Sequence, residues 1–125
     1  MPLILIVDDS ALSRTITRRI LQAKNHSTLE ATNGREGIEI ARDRQPDCIL
    51  LDLLIPELNG FEFLEILQQE NLKIPVIVIT ADLQETTNNK CKELGAFSIL
   101  HKPPKAEELG NILTEVLELS QEETN

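Results

Sequence analysis

Residues 1–14 read MPLILIVDDSALSR, and they contain the first strand and the start of the first helix that the sequence predicts. The continuous apolar run from Leu3 to Val7 is typical of a strand buried on both faces, as in a parallel sheet. It ends in two adjacent carboxylates, Asp8 and Asp9, and a helix-like pattern follows at once. Two like charges at the end of a buried strand are unfavourable unless another charge compensates them.

Strand and helix patterns alternate along the rest of the chain. Apolar runs predict five strands, at 3–7, 27–31 (the weakest), 48–51, 76–79 and 98–100. Stripes with helical spacing follow four of them: Leu12, Ile16 and Ile20; Ile38 and Ala41; Phe61, Leu64 and Leu67; and Leu109, Ile112, Leu113 and Val116. Residues 82–94 are rich in Thr and Asn, which are weak helix formers. We still predict a helix there, because the connection between two parallel strands usually contains one.

Five such βα units in a row predict an α/β fold with an open, doubly wound parallel sheet and right-handed crossovers. The flavodoxin-like strand order 2-1-3-4-5 fits five units, although periodicity alone does not specify an order. The length of 125 residues predicts one domain, which we place at residues 1–119, followed by a frayed tail at 120–125.

The composition argues against several classes of protein. A net charge of −9 disfavours nonspecific binding to nucleic acid, which needs a basic surface. No apolar run approaches the ~20 residues of a membrane-spanning helix, and no basic region precedes the first run as in a signal peptide. Cys48 and Cys91 are far apart and form no CxxC motif, so we expect neither a disulfide scaffold nor a zinc site, and we expect a reducing cytoplasm.

Polar side chains follow the stronger predicted strands where each one ends: Asp8 and Asp9 after the first, Asp52 after the third, Thr80 after the fourth, and His101 and Lys102 after the fifth. In a parallel sheet these ends lie on one edge, where ligands bind. If the first and third strands are neighbours, about 4.8 Å apart, the three carboxylates lie close together.

Three close carboxylates require compensation, because two unit charges about 4 Å apart repel by roughly 4 kcal/mol at an effective dielectric constant near 20. Either one carboxylate takes up a proton, or a hard cation such as Mg²⁺ binds among them. With the ammonium of Lys102 and the hydroxyl of Thr80, the cluster would form a pocket for a phosphoryl group, with a carboxylate as acceptor. Taken singly, Asp9, Ser10 and Thr80 are better explained as helix caps or turn residues, whereas their convergence with a third acid and a lysine on one edge favours a functional site.

Four stretches together resemble the response-regulator receiver domain, of the stand-alone kind typified by the chemotaxis response regulator. They are ILIVDDS, ILLDLLIPELNGFEFL, PVIVITA and GAFSILHKPP, and the resemblance covers residues 3–119. It implies a signalling switch rather than an enzyme, one that catalyses only its own phosphorylation and dephosphorylation. It also implies Mg²⁺ as cofactor and a histidine kinase or histidine phosphotransfer protein as phosphoryl donor.

The resemblance gives roles to individual residues of this chain. It implies that Asp52 is the phosphoacceptor. The Mg²⁺ ligands that it implies are Asp52, Asp9 directly, Asp8 largely through water, and the backbone carbonyl of Leu54.

The resemblance also implies a switch region made of Thr80, Ile99, Lys102 and Pro103. Thr80 would hydrogen-bond a phosphoryl oxygen in the active state, and Lys102 would pair with the phosphoryl group. The Lys102–Pro103 peptide bond is expected to be cis, and the fourth helix and fifth strand are expected to shift on activation.

Three positions depart from the family pattern or vary within it. Ile99 stands where the family often has Tyr or Phe, so we expect an ordinary strand residue there rather than an aromatic rotamer switch. Leu54 is apolar on the route of an attacking water, which predicts slow self-dephosphorylation, unless the side chain only packs in its loop. Asp82, two residues after Thr80, would either cap the fourth helix or orient water.

Partners follow from the same resemblance. Arg14 and Arg18 lie four residues apart on the first helix, which docks the histidine-bearing partner in this family, so they would contact an acidic patch there or form a solvated basic face. The target is unidentified and would bind the face made by the fourth helix, fifth strand and fifth helix. Whether phosphorylation causes the protein to form a homodimer stays open. Whether the chain is a natural single domain or the excised receiver of a larger regulator also stays open.

Two other classes of protein provide alternatives. A Mg²⁺-dependent phosphohydrolase with an Asp nucleophile commonly has Asp-x-Asp after its first strand, whereas Asp8 and Asp9 are adjacent. A flavin carrier has a phosphate loop rich in hydroxyl groups and glycine after that strand, whereas this chain is acidic there.

Overall fold

The computed structural model describes residues 1–82 and 84–124, the last five of these by their backbone alone. The strands are β1 (Leu3–Val7), β2 (Ser27–Ala31), β3 (Cys48–Leu51), β4 (Val76–Thr80) and β5 (Ser98–His101). The helices are α1 (Ala11–Ala23), α2 (Gly34–Arg44), α3 (Gly60–Gln69), α4 (Glu85–Glu93) and α5 (Ala106–Thr124). The five predicted βα units are therefore present, with β4 and β5 each one residue longer than the apolar runs indicate.

All five strands form one parallel sheet in the order β2-β1-β3-β4-β5, which confirms the expected flavodoxin-like order. β1 lies between β2 and β3, and its last residue, Val7, pairs with Leu51. The N–H of Asp52 donates to the carbonyl oxygen of Val7 at 3.0 Å. This register brings Asp8 and Asp52, the residues that follow the two strands, to the same level at the edge of the sheet.

The sheet separates two apolar layers, because successive side chains of a strand point to opposite faces. The layer under α2, α3 and α4 includes Leu5, Val7, Ile38, Phe63 and Cys91. The layer under α1 and α5 includes Ile4, Ile6, Leu21, Leu109 and Leu113. Both faces of the central strands are thus covered, so their polar groups are concentrated at the strand ends.

A residue whose side chain caps the backbone directly precedes each of the helices α1, α2 and α3, namely Ser10, Asn33 and Asn59. Such a side chain accepts a hydrogen bond from an N–H that has no partner within the helix. Because Ser10 caps α1, the carboxylate of Asp9 is not used for this purpose. Gln84, which directly precedes helix α4, makes no side-chain cap, and the Asp82 carboxylate instead accepts from the Gln84 N–H at 3.0 Å.

One feature of the helices differs from the sequence prediction. The apolar stripe on α1 predicts the helix but not its buried side, since Leu12 is 71% and Ile16 is 38% exposed, whereas Thr17 and Leu21 are buried. Helix α5 is described to Thr124, Asn125 lies outside the described residues, and the frayed tail expected at 120–125 stays a prediction. None of the helices in the described residues combines the length and the apolar character that crossing a membrane requires.

Gly34, the buried first residue of α2, allows the loop between β3 and α3 to approach closely. A Cβ atom at this position would lie 2.0 Å from the carbonyl oxygen of Leu58, a backbone atom that cannot move aside cheaply. At Gly110 in α5, the atoms nearest to an added Cβ belong to the flexible end of Lys24. The two glycines therefore differ in what an added methyl group would displace.

We expect Gly34→Ala to lower the free energy of unfolding by about 1–3 kcal/mol, the usual cost of overpacking. Gly110→Ala is the matched control and should be neutral or stabilising, because alanine is favoured over glycine within a helix by roughly 0.5–1 kcal/mol. Urea denaturation followed by circular dichroism measures both values. Equal stability of Gly34→Ala and wild type would show that the contact with Leu58 is not rigid.

Candidate functional site

The carboxyl ends of β1 and β3 bring three carboxylates together. Asp8, Asp9 and Asp52 each offer an oxygen, and these oxygens lie within 4.8 Å of one another. Asp8 and Asp52 are buried, at 7% and 8% exposure, while Asp9 is exposed. The acidic cluster predicted from the strand ends is therefore present, and two of its members are largely removed from water.

The ammonium of Lys102 lies between two of these carboxylates. Its Nζ is 2.9 Å from Oδ2 of Asp8 and 2.9 Å from Oδ2 of Asp52. Burial disfavours the charged form of Lys102, but hydrogen bonds and charges of Asp52 and Asp8 outweigh it and hold the pKa above its usual value. The lysine stays charged at neutral pH, and three carboxylates against one ammonium leave a formal excess of two negative charges.

Backbone groups fix the two buried carboxylates. Oδ1 of Asp8 accepts from the N–H of Ser10 at 2.9 Å, and Oδ1 of Asp52 accepts from the N–H of Leu54 at 3.2 Å. The side chain of Leu54 is 76% exposed at the start of the loop that follows β3. Each buried carboxylate thus has one oxygen on a backbone N–H and the other on Lys102.

Thr80 and Lys102 are joined through the backbone at the ends of β4 and β5. Thr80 is fully buried, and its Oγ1 accepts from the N–H of Asp82 at 3.1 Å. The N–H of Lys102 donates to the carbonyl oxygen of Thr80 at 2.9 Å, and His101 beside it is exposed. Residues 80 and 102 therefore lie on the predicted edge.

Three features beside the cluster correspond to expectations from the sequence. The Lys102–Pro103 peptide bond is cis, as the resemblance implies. Ile99 is partly buried and packs against the core under α4, which agrees with an ordinary strand residue. Asp82 accepts from the Gln84 N–H and from the Thr87 hydroxyl, so in this conformation its carboxylate holds the start of α4.

Arg14 and Arg18 both bind Glu30, a residue of β2 that the sequence analysis did not select. Nε of Arg14 lies 3.2 Å from Oε1 of Glu30, and Nη1 of Arg18 lies 3.0 Å from Oε2. Nη1 of Arg14 also donates to the backbone carbonyl oxygen of Asp8 at 2.8 Å. Docking of a partner by the two arginines stays a prediction. The sequence feature that could have pointed to Glu30 is a carboxylate within a predicted strand, on the side that α1 covers.

The donor set fits a hard divalent cation. All three side chains offer carboxylate oxygens, the ligands that Mg²⁺ prefers, and their formal charge exceeds that of the lysine by two. Within the described part of the chain, no side chain or backbone N–H hydrogen-bonds the Asp9 carboxylate. Asp9 is thus available as a ligand, while Asp8 and Asp52 would exchange part of their contact with Lys102.

Comparisons with known proteins agree with this arrangement. Residues 4–114 match the sequence model of the response regulator receiver domain. Protein PilH of Pseudomonas aeruginosa is 39% identical over 119 residues, which are 94% of this chain and 98% of that protein. The chemotaxis response regulator CheY4 of Vibrio cholerae has a solved structure with a TM-score of 0.86 and 29% identity, covering 94% of this chain and 99% of that one.

A longer relative shows the same segment within a larger protein. The protein-glutamate methylesterase/protein-glutamine glutaminase of Treponema denticola is 40% identical over 108 residues, which are 83% of this chain but 29% of that protein. The chain thus spans under a third of this relative and nearly all of PilH. With the fold, the strand order and the match over residues 4–114, the chain belongs to the response-regulator receiver domain family of two-component signalling.

Proposed function

We propose that this chain is a phosphorylation-activated switch of a two-component system or phosphorelay, and that it accepts a phosphoryl group on Asp52. The observation that carries the proposal is the position of the Lys102 ammonium, 2.9 Å from both Asp8 and Asp52 in a cluster of three carboxylates. This arrangement combines an acceptor oxygen, an excess of negative charge for a divalent cation, and a cation that can pair with a phosphoryl group.

The transfer step is a displacement at phosphorus. A carboxylate oxygen of Asp52 attacks the phosphorus of a phosphohistidine, the P–N bond breaks, and the imidazole leaves with its electron pair. When bound by Asp8, Asp9, Asp52 and the Leu54 carbonyl, Mg²⁺ would neutralise charge on the phosphoryl oxygens. Lys102 transfers its hydrogen bond from the Asp52 carboxylate to the new acyl phosphate.

The product changes the contacts of the sheet edge. An acyl phosphate carries roughly −1.5 to −2 charges, and it offers oxygens to Lys102 and to the hydroxyl of Thr80. The Thr80 Oγ1 accepts from the N–H of Asp82, whose carboxylate holds Gln84 and Thr87 at the start of α4. A reorientation of Thr80 would therefore move α4, which supports a two-state switch with output through α4, β5 and α5.

The partners that we propose follow from this chemistry and from the family. A histidine kinase or histidine phosphotransfer protein would supply the phosphoryl group, and a protein target would read the output face; dimerisation on phosphorylation is part of the proposal. The receiver unit would be residues 1–119. Both cysteines are free and buried, and burial raises the pKa of Cys48 to about 12, which is compatible with a reducing cytoplasm.

Phosphorylation of Asp52 is tested with acetyl phosphate and Mg²⁺. We expect intact-mass analysis to show one added phosphoryl group on the wild type and on Asp43→Asn, a control in the exposed part of α2. Asp52→Asn should show none, because it removes the acceptor oxygen. An unchanged adduct in Asp52→Asn would refute the proposal, and multiple turnover of a phosphate ester would favour the phosphohydrolase.

Removal of the lysine charge should strengthen binding of Mg²⁺ to the unphosphorylated protein. In Lys102→Met the buried carboxylates lose their cation, so we expect at least about tenfold tighter binding, or roughly 1.4 kcal/mol. Lys105→Met, which removes an exposed charge nearby, is the matched control and should change the affinity little. Calorimetric titration with Mg²⁺ measures both, and equal affinities would show that Lys102 does not compete for the site.

The lifetime of the acyl phosphate should depend on Leu54. Its exposed apolar side chain offers no hydrogen bond to an attacking water, so we expect Leu54→Asn to lose the phosphoryl group several-fold faster. Leu12→Asn changes a similarly exposed leucine on α1 and should leave the lifetime unchanged. The decay of the adduct is followed by intact mass after removal of acetyl phosphate; equal lifetimes would restrict Leu54 to packing.

A further inference from the structure

Arg14 connects α1 both to the acidic turn, which is formed by Asp8 and Asp9, and to the neighbouring strand β2. Its Nη1 donates to the backbone carbonyl oxygen of Asp8 at 2.8 Å, and its Nε donates to Oε1 of Glu30 at 3.2 Å. The side chain is only 16% exposed, so the guanidinium is held in one position. Arg18, one turn later, binds the other oxygen of Glu30 and makes no hydrogen bond to the acidic turn among the described residues.

The carbonyl that Arg14 binds belongs to the peptide unit between Asp8 and Asp9. A peptide unit is planar, so a hydrogen bond to its oxygen restrains the rotation of the whole plane. The N–H of Asp8 is itself held by the carbonyl oxygen of Ala31 at 3.1 Å. The Asp9 carboxylate, in contrast, has no hydrogen bond from the described residues, so its direction depends on the backbone that Arg14 restrains.

The positive charge of Arg14 opposes the binding of a cation at the acidic cluster, and the carboxylate of Glu30 partly offsets that charge. A guanidinium beside a cation site repels the cation, whereas a guanidinium paired with a carboxylate is close to neutral at a distance. Glu30 lies between Arg14 and Arg18 and binds one with each oxygen. Because two guanidiniums share this one carboxylate, the three side chains keep a formal excess of one positive charge, so Glu30 orients Arg14 and reduces its repulsion of the cation without removing it. The favourable contribution of Arg14 is thus its geometry.

We propose that Arg14 is a positioning residue for the metal site, which fixes the Asp8–Asp9 peptide so that the Asp9 carboxylate faces the cation, with Glu30 as its orienting partner. This inference rests on the proposed function, because it presupposes that the acidic cluster binds Mg²⁺. It gives Arg14 a role inside the domain, separate from docking of a partner protein.

The direction in which Arg14→Gln changes the affinity for Mg²⁺ distinguishes a geometric role of Arg14 from a purely electrostatic one. Calorimetric titration of the full chain should show Arg14→Gln binding Mg²⁺ about 10–100-fold more weakly, the usual effect of removing a residue that orients a ligand. If Arg14 acted only through its charge, the same substitution would tighten binding. Arg18→Gln, which loses a bond to the same Glu30 but none to Asp8, should leave the affinity nearly unchanged.

Kinetics separate positioning from general damage to the fold. Arg14→Gln should raise the Mg²⁺ concentration for half-maximal phosphorylation by acetyl phosphate, while the rate at saturating Mg²⁺ recovers, because Arg14 touches neither Asp52 nor Lys102. Arg14→Lys, which keeps the charge but not the fork, should be intermediate. Glu30→Gln should weaken Mg²⁺ binding most at low ionic strength, because the guanidinium loses its neutralising partner and salt screens the repulsion that this leaves.

The outcomes distinguish the two proposals. If the wild type binds no Mg²⁺, the proposed metal site is wrong and this inference falls with it. If the wild type binds Mg²⁺ and Arg14→Gln binds it as tightly or more tightly, only the role of Arg14 is wrong. Equal losses in Arg14→Gln and Arg18→Gln would also overturn it, since Arg18 does not contact the acidic turn.

Discussion

The pairing of β1 with β3 places more negative charge at one edge of the sheet than Lys102, the cation that contacts it among the described residues, neutralises. Asp8 and Asp52 leave the two strands at the same level and are both buried, so each needs a cationic partner. Lys102 supplies one positive charge to two carboxylates, and Asp9 adds a third carboxylate that the described residues leave without a hydrogen bond. The three carboxylates therefore keep a formal excess of two negative charges over Lys102, which fits the charge of a divalent cation.

The parts of the fold that could be predicted are the strands and helices, because the local pattern of apolar and polar residues encodes them. Uninterrupted apolar runs identified β1 and β3 to the residue, because strands buried on both faces carry no polar side chain until they end. The order of the strands was not contained in that pattern and came from the fold class. The buried side of α1 was also not contained in it: Leu12 has helical spacing to Ile16, but the sheet extends under Thr17 and Leu21 instead.

The carboxylates of the candidate site were predictable for a related reason, since strand ends of a parallel sheet meet at one edge. Glu30 was not, because its partners come from α1 and its role depends on how that helix crosses β2. The same packing gives Arg14 a contact with the Asp8 carbonyl oxygen that the sequence did not predict, while docking of a partner by Arg14 stays a prediction. Contacts between a helix and the side of a strand are tertiary contacts. Neither the helical nor the strand periodicity of the sequence encodes them.

Helix α4 illustrates how a weak local signal fits a switch. Its nine residues include two Thr and two Asn, its first turn has no side-chain cap at Gln84, and Cys91 is its one buried residue among those described. A helix shorter than ~12–15 residues is marginal by itself, so its position depends on its contacts. The turn from Thr80 to Asp82 supplies those contacts at the N-terminus, where Oγ1 of Thr80 already binds a backbone N–H. The position of α4 therefore depends on the hydrogen bonds that link it to Thr80, whereas α5 is held by Leu109, Leu113 and Val116 in the core.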